Sequence, residues 1–447
     1  MTELSKDHLR FRIAPGGRLA GRLRVPGDKS ISHRAVMLAA LAEGPTEICG
    51  FLEGEDALAT LAAIRAMGIQ ASGPQGGRVV IEGRGLHGLR ASPDPLYLGN
   101  SGTSMRLLCG LLAGQRFDTV LTGDASLSRR PMRRVTEPLA RVGAVVETGV
   151  AGTAPLRITG RQPLRGIRYE MPVASAQVKS CLLLAGLYAK GETYITEPVP
   201  TRDHTERMLA AFGYEIRCRR GCACLSGQGR LHAVPQLAVP ADISSAAFFL
   251  VGASIAPGSD LYLTDVGINP TRTGVITILR RMGADIEVLD TRMAGGEPVA
   301  DLRVRHAVLH GTHITPDLVP AAIDEFPALF VAAACAEGET LLQGAEELRV
   351  KESDRITVMA TGLQALGIIA EPRADGIRIV GGTLKGARVH AHGDHRIAMA
   401  FAMAALRADA EIVIDDCHNV ATSFPGFVDL AADVGLGIYA EATDEQL

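Results

Sequence analysis

The chain contains 447 residues, of which 47% are hydrophobic and 21% are charged, and its formal net charge is −3. This length exceeds the size at which one hydrophobic core usually stops growing, so it predicts two globular domains, and the composition excludes a disordered chain. The near-neutral charge excludes a global attraction to nucleic acid or an anionic membrane, and no apolar run approaches the roughly 20 residues of a membrane span. Residues 1–12 are polar and charged, unlike a secretory signal, which predicts a cytoplasmic protein.

An internal repeat runs along the whole chain. In each copy, an apolar helix-like run ends at a glycine before a strand-like stretch, and an amphipathic helix-like run then ends at a second glycine. A glycine directly after a helix favours the left-handed C′ conformation. The two series recur about every 70 to 80 residues, at Gly44, Gly114, Gly191, Gly258 and Gly338 with a degenerate sixth copy near Asp409, and at Gly68, Gly143, Gly213, Gly283, Gly367 and Gly435.

Six such units predict an α/β fold of two domains with three units each. The first helix of every unit begins with a polar segment rich in Ser, Thr, Asn or Asp, which are the favoured N-cap residues. These starts are residues 28–34, 99–106, 174–179, 242–245, 324–327 and 393–396.

Several of these first turns also carry cations, which oppose the helix dipole. This cost is usually accepted where an anion will sit, so we expect the helix starts to bind anions. The cations are Lys29, Arg34, Arg106, Lys179 and Arg396.

Three other segments are suited to anion or proton chemistry, and each has a purely structural alternative. The small residues 99–104 let backbone N–H groups approach an anion, although such a turn is often structural. Residues 128–134 hold four arginines, which capture carboxylates or phosphates or else form a solvated basic face. Glu352 and Arg355 share one helical face, so Glu352 could exchange protons beside a bound anion or belong to a surface salt bridge.

Two clusters of cysteine or histidine invite comparison with metal sites. Cys218, Cys222 and Cys224 with His232 lack the usual C-x2-C spacing and a second pair. The segment 389–396 holds three histidines and an aspartate without a convincing remote ligand set. We therefore expect no metal, and the scattered cysteines are expected to be reduced thiols.

Five segments together resemble the 5-enolpyruvylshikimate-3-phosphate (EPSP) synthase family over nearly the whole chain: residues 26–34, 98–103, 128–131, 349–355 and 393–396. The resemblance implies two domains, each of three repeated α/β units, that close on a central interdomain cleft. We place domain I at residues 1–27 plus 241–447 and domain II at residues 28–240.

The resemblance implies transfer of the enolpyruvyl group of phosphoenolpyruvate to the 5-hydroxyl of shikimate 3-phosphate, with release of phosphate and without a cofactor. This is a step of the shikimate pathway to chorismate and the aromatic amino acids. The implied shikimate 3-phosphate ligands are Lys29, Ser30, Arg34, Ser175, Gln177, Arg202, Asp324 and Lys351. The implied phosphoenolpyruvate ligands are Lys29, Gly102, Arg130, Gln177, Arg355 and Arg396.

The implied chemistry assigns Asp324 as the base toward the 5-hydroxyl, with Glu352 and Lys29 transferring protons at the enolpyruvyl carbons. We expect a monomer whose partners are these two small substrates. The space beside Gly102 also predicts inhibition by the phosphonate glyphosate.

The chain departs from many relatives at a few positions. Leu107 and Ala176 stand where many have Pro and Ser, and residues 421–425 lack a lysine found in others, which leaves one phosphoenolpyruvate cation unassigned. The alternative activity is enolpyruvyl transfer to UDP-N-acetylglucosamine, although its reactive-cysteine loop is not evident. An RNA-end-processing enzyme and a non-catalytic anion-binding regulator are less favoured alternatives.

Overall fold

The computed structural model describes residues 9–219 and 221–442. Residues 1–8 lie outside the described residues, and they form most of the N-terminal segment that the sequence predicts not to be a secretory signal. The last five residues of predicted domain I, 443–447, also lie outside the described residues. No helix in the described ranges is both long and apolar enough to cross a membrane.

The strands, in chain order, are β1 (Leu9–Ile13), β2 (Ala20–Leu23), β3 (Glu43–Cys49), β4 (Gln70–Gln75), β5 (Arg78–Arg84), β6 (Leu96–Tyr97), β7 (Thr119–Thr122), β8 (Val145–Glu147), β9 (Leu156–Thr159), β10 (Arg168–Glu170), β11 (Glu192–Thr196), β12 (Ile216–Arg219), β13 (Cys222–Ser226), β14 (Gln236–Ala238), β15 (Asp260–Gly267), β16 (Asp285–Ala294), β17 (Glu297–Arg305), β18 (His313–Ile314), β19 (Glu339–Leu342), β20 (Ile369–Arg373), β21 (Gly376–Val380), β22 (Arg388–His390), β23 (Ile412–Asp415) and β24 (Ile438–Ala442).

The α-helices are α1 (Lys29–Leu41), α2 (Glu55–Ala66), α3 (Gly102–Ala113), α4 (Arg133–Val142), α5 (Ala176–Gly186), α6 (His204–Ala211), α7 (Ile243–Ile255), α8 (Gly274–Arg281), α9 (Val319–Ala322), α10 (Phe326–Ala334), α11 (Arg355–Ala365), α12 (His395–Ala404) and α13 (Phe427–Asp433).

The chain divides into two units. Unit 1 comprises the described residues up to Pro26, the segment Ala241–Arg292 and the described residues from Pro298 onward. Unit 2 comprises Gly27–Pro240 and the short segment Met293–Glu297. That short segment is the tip of the β16–β17 hairpin, where β16 ends and β17 begins, so the chain passes between the units four times.

The strands form six four-stranded sheets with one shared topology. In each sheet an edge strand pairs in parallel with an inner strand, and that strand pairs antiparallel with the second inner strand. The sheet orders in unit 2 are β14-β3-β5-β4, β6-β7-β9-β8 and β10-β11-β13-β12, and in unit 1 they are β16-β17-β15-β2, β18-β19-β21-β20 and β22-β23-β1-β24.

Three of the six repeats, the first, the fourth and the last, are not continuous in sequence, and β2 completes the fourth sheet beside β15. The parallel edge strand beside β3 is β14, which lies almost 200 residues further along the chain. The N-terminal strand β1 is an inner strand of the last sheet, paired with β23 and β24. The six-unit α/β prediction is confirmed, but the repeat boundaries in space differ from the boundaries in sequence.

Each unit has its own hydrophobic core, built around the first helix of each repeat. In unit 1 every residue of α7, α10 and α12 is buried. Such helices are apolar on all sides because they are surrounded by other elements rather than lying on a surface. Their N-termini are the places where polar groups enter the interior.

The second glycine series adopts the predicted left-handed conformation at all six positions, with φ between +75° and +113°. Gly114 in the first series does not, because its φ is −89°. A Cβ atom there would lie 2.1 Å from Cγ of Tyr188, so close packing rather than backbone conformation requires this glycine. The left-handed prediction at Gly114 is therefore wrong.

We predict that Gly114→Ala lowers the free energy of unfolding by about 1–3 kcal/mol, because the added methyl group overpacks the core against Tyr188. Urea unfolding followed by circular dichroism measures this change. Gly382→Ala is the control, because its Cβ would make only ordinary contact, 3.5 Å from Ile368. Equal stability of the Gly114→Ala variant and the wild type would contradict the packing explanation.

Candidate active site

The starts of the six first helices hold most of the predicted site residues. Five of them are capped by a side chain that accepts a backbone N–H group of the first turn, as predicted, and thereby satisfies a donor that the helix leaves free. The capping residues are Asp28, Ser101, Ser175, Asp242 and Asp394. The sixth helix, α10, has no side-chain cap.

Lys29 is the first residue of α1, and its ammonium group has a protein partner. Its Nζ lies 2.8 Å from Oδ2 of Asp56, which belongs to the first turn of α2. Both side chains are largely buried, with 15% and 8% exposed. Within the chain itself, the anion beside Lys29 is the carboxylate of Asp56. This ion pair fixes the direction of the ammonium group.

A buried chain of hydroxyl groups connects α1 with α3. Oγ of Ser104 donates to Oγ of Ser101 at 2.7 Å and lies 2.6 Å from Oγ1 of Thr60, which in turn lies 2.7 Å from Nδ1 of His33. Burial lowers the pKa of His33 to about 3, so the imidazole at the end of this chain is neutral near pH 7.

Gly102 opens α3 beside two arginines. A Cβ atom at Gly102 would lie 3.2 Å from an Nη1 atom of Arg130 and 3.4 Å from that of Arg106. Arg130 donates to the side-chain oxygen of Asn100. Arg106 donates to the side-chain oxygen of Gln177, so this helix start holds two guanidinium groups directed by amides.

Arg34 is buried and held in one orientation by neutral acceptors. It donates to Oγ1 of Thr205 at 2.7 Å, to the carbonyl oxygen of Ser30 at 2.8 Å and to Oγ of Ser180 at 2.8 Å. Burial lowers the pKa of its guanidinium to about 10, which still leaves it charged at neutral pH. Nearby Arg202 also contributes to this lowering.

Lys179 corrects one prediction. Its Nζ lies 2.7 Å from carboxylate oxygens of both Glu197 and Glu206, and the side chain is almost completely buried. Burial opposes the charge of Lys179, but the two glutamates outweigh it and raise its pKa. The expected external anion at Lys179 is wrong, because two internal carboxylates balance this charge.

In unit 1, Arg355 collects three carboxylates around one buried guanidinium. Its nitrogens lie 2.7 Å from Glu352, 2.8 Å from Asp394 and 3.6 Å from Asp324. Burial opposes its charge, but Asp394, Glu352 and Asp324 raise the pKa of the Arg355 guanidinium above its usual value. The structure thus brings together three predicted residues, Asp324, Glu352 and Arg355.

Asp394 connects this group to α12. One oxygen accepts the backbone N–H of Arg396 at 3.0 Å, and the other accepts from Arg355 at 2.8 Å and from Ser353 at 3.1 Å. Lys351 lies 3.7 Å from Glu347, and its pKa is lowered chiefly by burial. A lysine with a lowered pKa is better suited than an ordinary one to release a proton near neutral pH.

Several polar residues were missed as partners by sequence reasoning. Asp56 and Asp394 both occupy helix starts. Only Asp394 lies close in sequence to a predicted cation, Arg396, so only this aspartate could have been found from the sequence. The contacts among His33, Thr60 and Ser104 could not be predicted from the sequence. These residues lie on three different helices, so no fixed spacing along the chain relates them.

Neither predicted metal alternative gains support from the described ranges. They contain no group of three or more His, Cys, Asp or Glu side chains arranged to hold a metal ion. The cysteines, all eight of which are described, are free thiols.

Comparison with known proteins decides the family. The profile of EPSP synthase (3-phosphoshikimate 1-carboxyvinyltransferase) matches residues 13–430. The chain belongs to the EPSP synthase family. The resemblance inferred from five sequence segments is confirmed.

Similar proteins extend over almost the full chain. A protein of Alkalilimnicola ehrlichii named 3-phosphoshikimate 1-carboxyvinyltransferase is 70% identical over 96% of this chain and 96% of its own length. One of the same name from Nitrosococcus oceani is 67% identical over 98% of each chain. The solved EPSP synthase of Acinetobacter baumannii is 56% identical, with a TM-score of 0.88 over 97% of this chain and 100% of that chain.

A more distant structure shares only the EPSP synthase fold. The enolpyruvyl transferase NikO of Streptomyces tendae is 18% identical, with a TM-score of 0.77 over 98% of this chain and 100% of that chain. The relatives at 67–70% identity carry the 3-phosphoshikimate name, so the UDP-N-acetylglucosamine alternative is not favoured.

We predict that His33 makes this family member acid-sensitive. Its folded-state pKa of about 3 lies below the ordinary value of 6.5, so the unfolded chain gains a proton at a higher pH than the folded chain. The stabilising effect is complete above pH 6.5 and is lost, by up to about 1.4 kcal/mol per pH unit, as the pH falls toward 3.

Urea unfolding of the wild type and of His33→Asn at pH 7 and 4.5 tests this effect. The wild type should lose about 2 kcal/mol more than the variant over this interval. His313→Asn, a change to an exposed histidine, is the control and should follow the wild type. Parallel losses in all three proteins would contradict the burial of a neutral His33.

Proposed function

We propose that this chain transfers the enolpyruvyl group of phosphoenolpyruvate to the 5-hydroxyl of shikimate 3-phosphate and releases phosphate. The observation that carries the proposal is the near-complete match, at 70% identity, to a protein named 3-phosphoshikimate 1-carboxyvinyltransferase. The fixed guanidinium groups and adjacent carboxylates of both units support it, because both substrates are anions and the reaction moves protons.

The proposed ligands form two sets, one for each substrate. We assign shikimate 3-phosphate to Lys29, Ser30, Arg34, Ser175, Gln177, Arg202, Asp324 and Lys351. We assign phosphoenolpyruvate to Lys29, Gly102, Arg130, Gln177, Arg355 and Arg396. Support for the second set comes from the two arginines directed toward Gly102 and from Arg355, which its carboxylates keep charged.

The reaction needs an acid and a base in cationic surroundings. In the addition step, the 5-hydroxyl oxygen bonds to C2 of phosphoenolpyruvate, a proton adds to C3, and the hydroxyl proton leaves. In the elimination step, C3 loses a proton and the bond from C2 to the phosphate oxygen breaks. Positioned acids and bases typically accelerate such transfers by about 10²–10⁴-fold.

We assign Asp324 as the base for the hydroxyl, with Glu352 and Lys29 exchanging the proton at C3. Asp324 lies 3.6 Å from Arg355, and Glu352 lies 2.7 Å from the same guanidinium. This shared cation favours the ionised form of both carboxylates. Lys29 is held by Asp56, which directs its ammonium group.

Three finer points belong to this proposal. We place the reaction in the cytoplasm, which the free thiol state of all eight cysteines supports. We expect a monomer, which light scattering tests. We also expect glyphosate to compete with phosphoenolpyruvate, because Gly102 leaves space beside two guanidinium groups.

Phosphate release from phosphoenolpyruvate tests the function directly. We expect release with shikimate 3-phosphate as acceptor and none above background with UDP-N-acetylglucosamine. Both reactions need a control without acceptor, because hydrolysis alone would also release phosphate. Release only with the nucleotide sugar, or with neither acceptor, would overturn the proposal.

Substitution of the assigned acid–base residues tests the mechanism. We predict that Asp324→Asn and Lys29→Met each lower kcat by about 100-fold or more, because each removes a proton-transfer group. The exposed residues Asp433 and Lys190 provide matched controls in the same units, as Asp433→Asn and Lys190→Met. A folded Asp324→Asn variant with wild-type turnover would remove Asp324 from its assigned role.

A further inference from the structure

The start of α10 differs from the other five first-helix starts. Those five use a side chain as a cap, whereas α10 follows a turn, and its N-cap residue Glu325 makes no capping hydrogen bond with its side chain. Glu325 directly follows Asp324 and is only 1% exposed. The carboxylate that could have capped this helix therefore has a different partner.

That partner is a buried cluster within unit 1. Oε1 of Glu325 accepts a hydrogen bond from Oγ of Ser244 and lies 3.6 Å from Nη2 of Arg272. The same Arg272 nitrogen donates to Ser244 at 2.6 Å and lies 3.3 Å from Oδ1 of Asp242. All four residues are at most 5% exposed.

The cluster places one cation between two carboxylates in the protein interior. A buried cation or carboxylate is costly without a partner of opposite charge, so Arg272 and Glu325 constrain one another strongly. Oε2 of Glu325 has no hydrogen-bond partner among the described residues. A buried carboxylate oxygen without a hydrogen bond is costly. Helix capping does not explain why Glu325 is kept at this position, because its side chain does not cap α10.

Backbone packing holds this cluster against the turn that carries Asp324. Gly274, two residues after Arg272, begins α8, and a Cβ atom there would lie 2.7 Å from the backbone of Ala321. Ala321 belongs to α9, which ends two residues before Asp324. The Arg272 loop and the Asp324 turn therefore cannot move independently without opening this close contact.

Asp324 itself lies beside a second group of charges. Arg355 lies 3.6 Å away, and the same guanidinium holds Glu352 and Asp394. Lys351 interacts electrostatically with Asp324 as well. Asp324 thus contacts the Arg355 group directly, and its peptide bond to Glu325 joins it to the buried group of Arg272 and Asp242.

We propose that Glu325, clamped by Arg272, is a positioning residue that fixes the direction of Asp324 and adjusts the ease with which Asp324 gains a proton. The inference rests on the proposed function, in which Asp324 is the base for the acceptor hydroxyl. Glu325 contributes negative charge beside Asp324, and Arg272 offsets it. Removing one or the other must therefore shift proton uptake by Asp324 in opposite directions.

The pH dependence of kcat tests this inference with Glu325→Gln and Arg272→Gln. The acid limb is the pH range in which kcat falls as Asp324 gains a proton. Loss of the Glu325 charge should move the midpoint of this limb to lower pH, and loss of the Arg272 charge should move it to higher pH, each by about half to one pH unit. The double variant has the wild-type net charge, so its midpoint should return toward the wild type. Each variant should lose about tenfold in plateau kcat, with KM for both substrates changed less than threefold.

A purely structural cluster would behave differently. It would lower thermal stability and the active fraction, yet leave the acid-limb midpoint in place or move it the same way in both variants; either result overturns the inference. Arg303→Gln, which breaks a pair with Asp260 in the same unit, is the control and should leave the midpoint unchanged. If Arg272→Gln fails to fold, the midpoints of Glu325→Gln and of the double variant test the inference. Both of these variants replace Glu325, so neither leaves a buried glutamate without its arginine.

Asp324→Asn separates the two hypotheses. If this variant retains turnover, or if the wild type shows no acid limb, the base assignment fails and this inference fails with it. If Asp324→Asn is inactive and the wild type shows the limb, unshifted midpoints in the cluster variants overturn this inference alone.

Discussion

The burial of Arg355 is the constraint on which the candidate site of unit 1 depends. A guanidinium group cannot lose its proton at ordinary pH, so anions close by stabilise one that is almost completely buried. Asp394 supplies such an anion from a helix start, Glu352 from a turn, and Asp324 from the turn that precedes α10. A residue proposed to hold substrate charge therefore also fixes the places of the carboxylates proposed to move protons.

The six repeats use one backbone position for different purposes. At Asp28, Ser101 and Ser175 the position before the first helix satisfies backbone N–H groups, and at Asp394 it also holds a buried arginine. At Glu325 it does not cap at all. Repetition supplies equivalent helix ends, and the side chain at each end determines which charge is held there.

Much of the fold was predictable from sequence, because it depends on local chemistry. Glycines in the left-handed conformation end helices wherever the second series predicted them, and polar caps begin five of the six first helices. Gly114 escaped this logic because its requirement comes from Tyr188, a residue distant in sequence. The Lys29–Asp56 pair and the His33 hydroxyl chain likewise join separate helices, so spacing along the chain could not indicate them.

The discontinuous sheets determine how early in synthesis each sheet has all of its strands. Residues 27–240 contain all three sheets of unit 2, including β14, so this unit has every strand available once about half of the chain has been made. Strands β1 and β2 emerge first but belong to sheets whose other members come after residue 259. Synthesis from the N-terminus thus leaves the earliest strands waiting longest for their partners, and the apolar residues of β1 need protection from misplaced pairing during that interval.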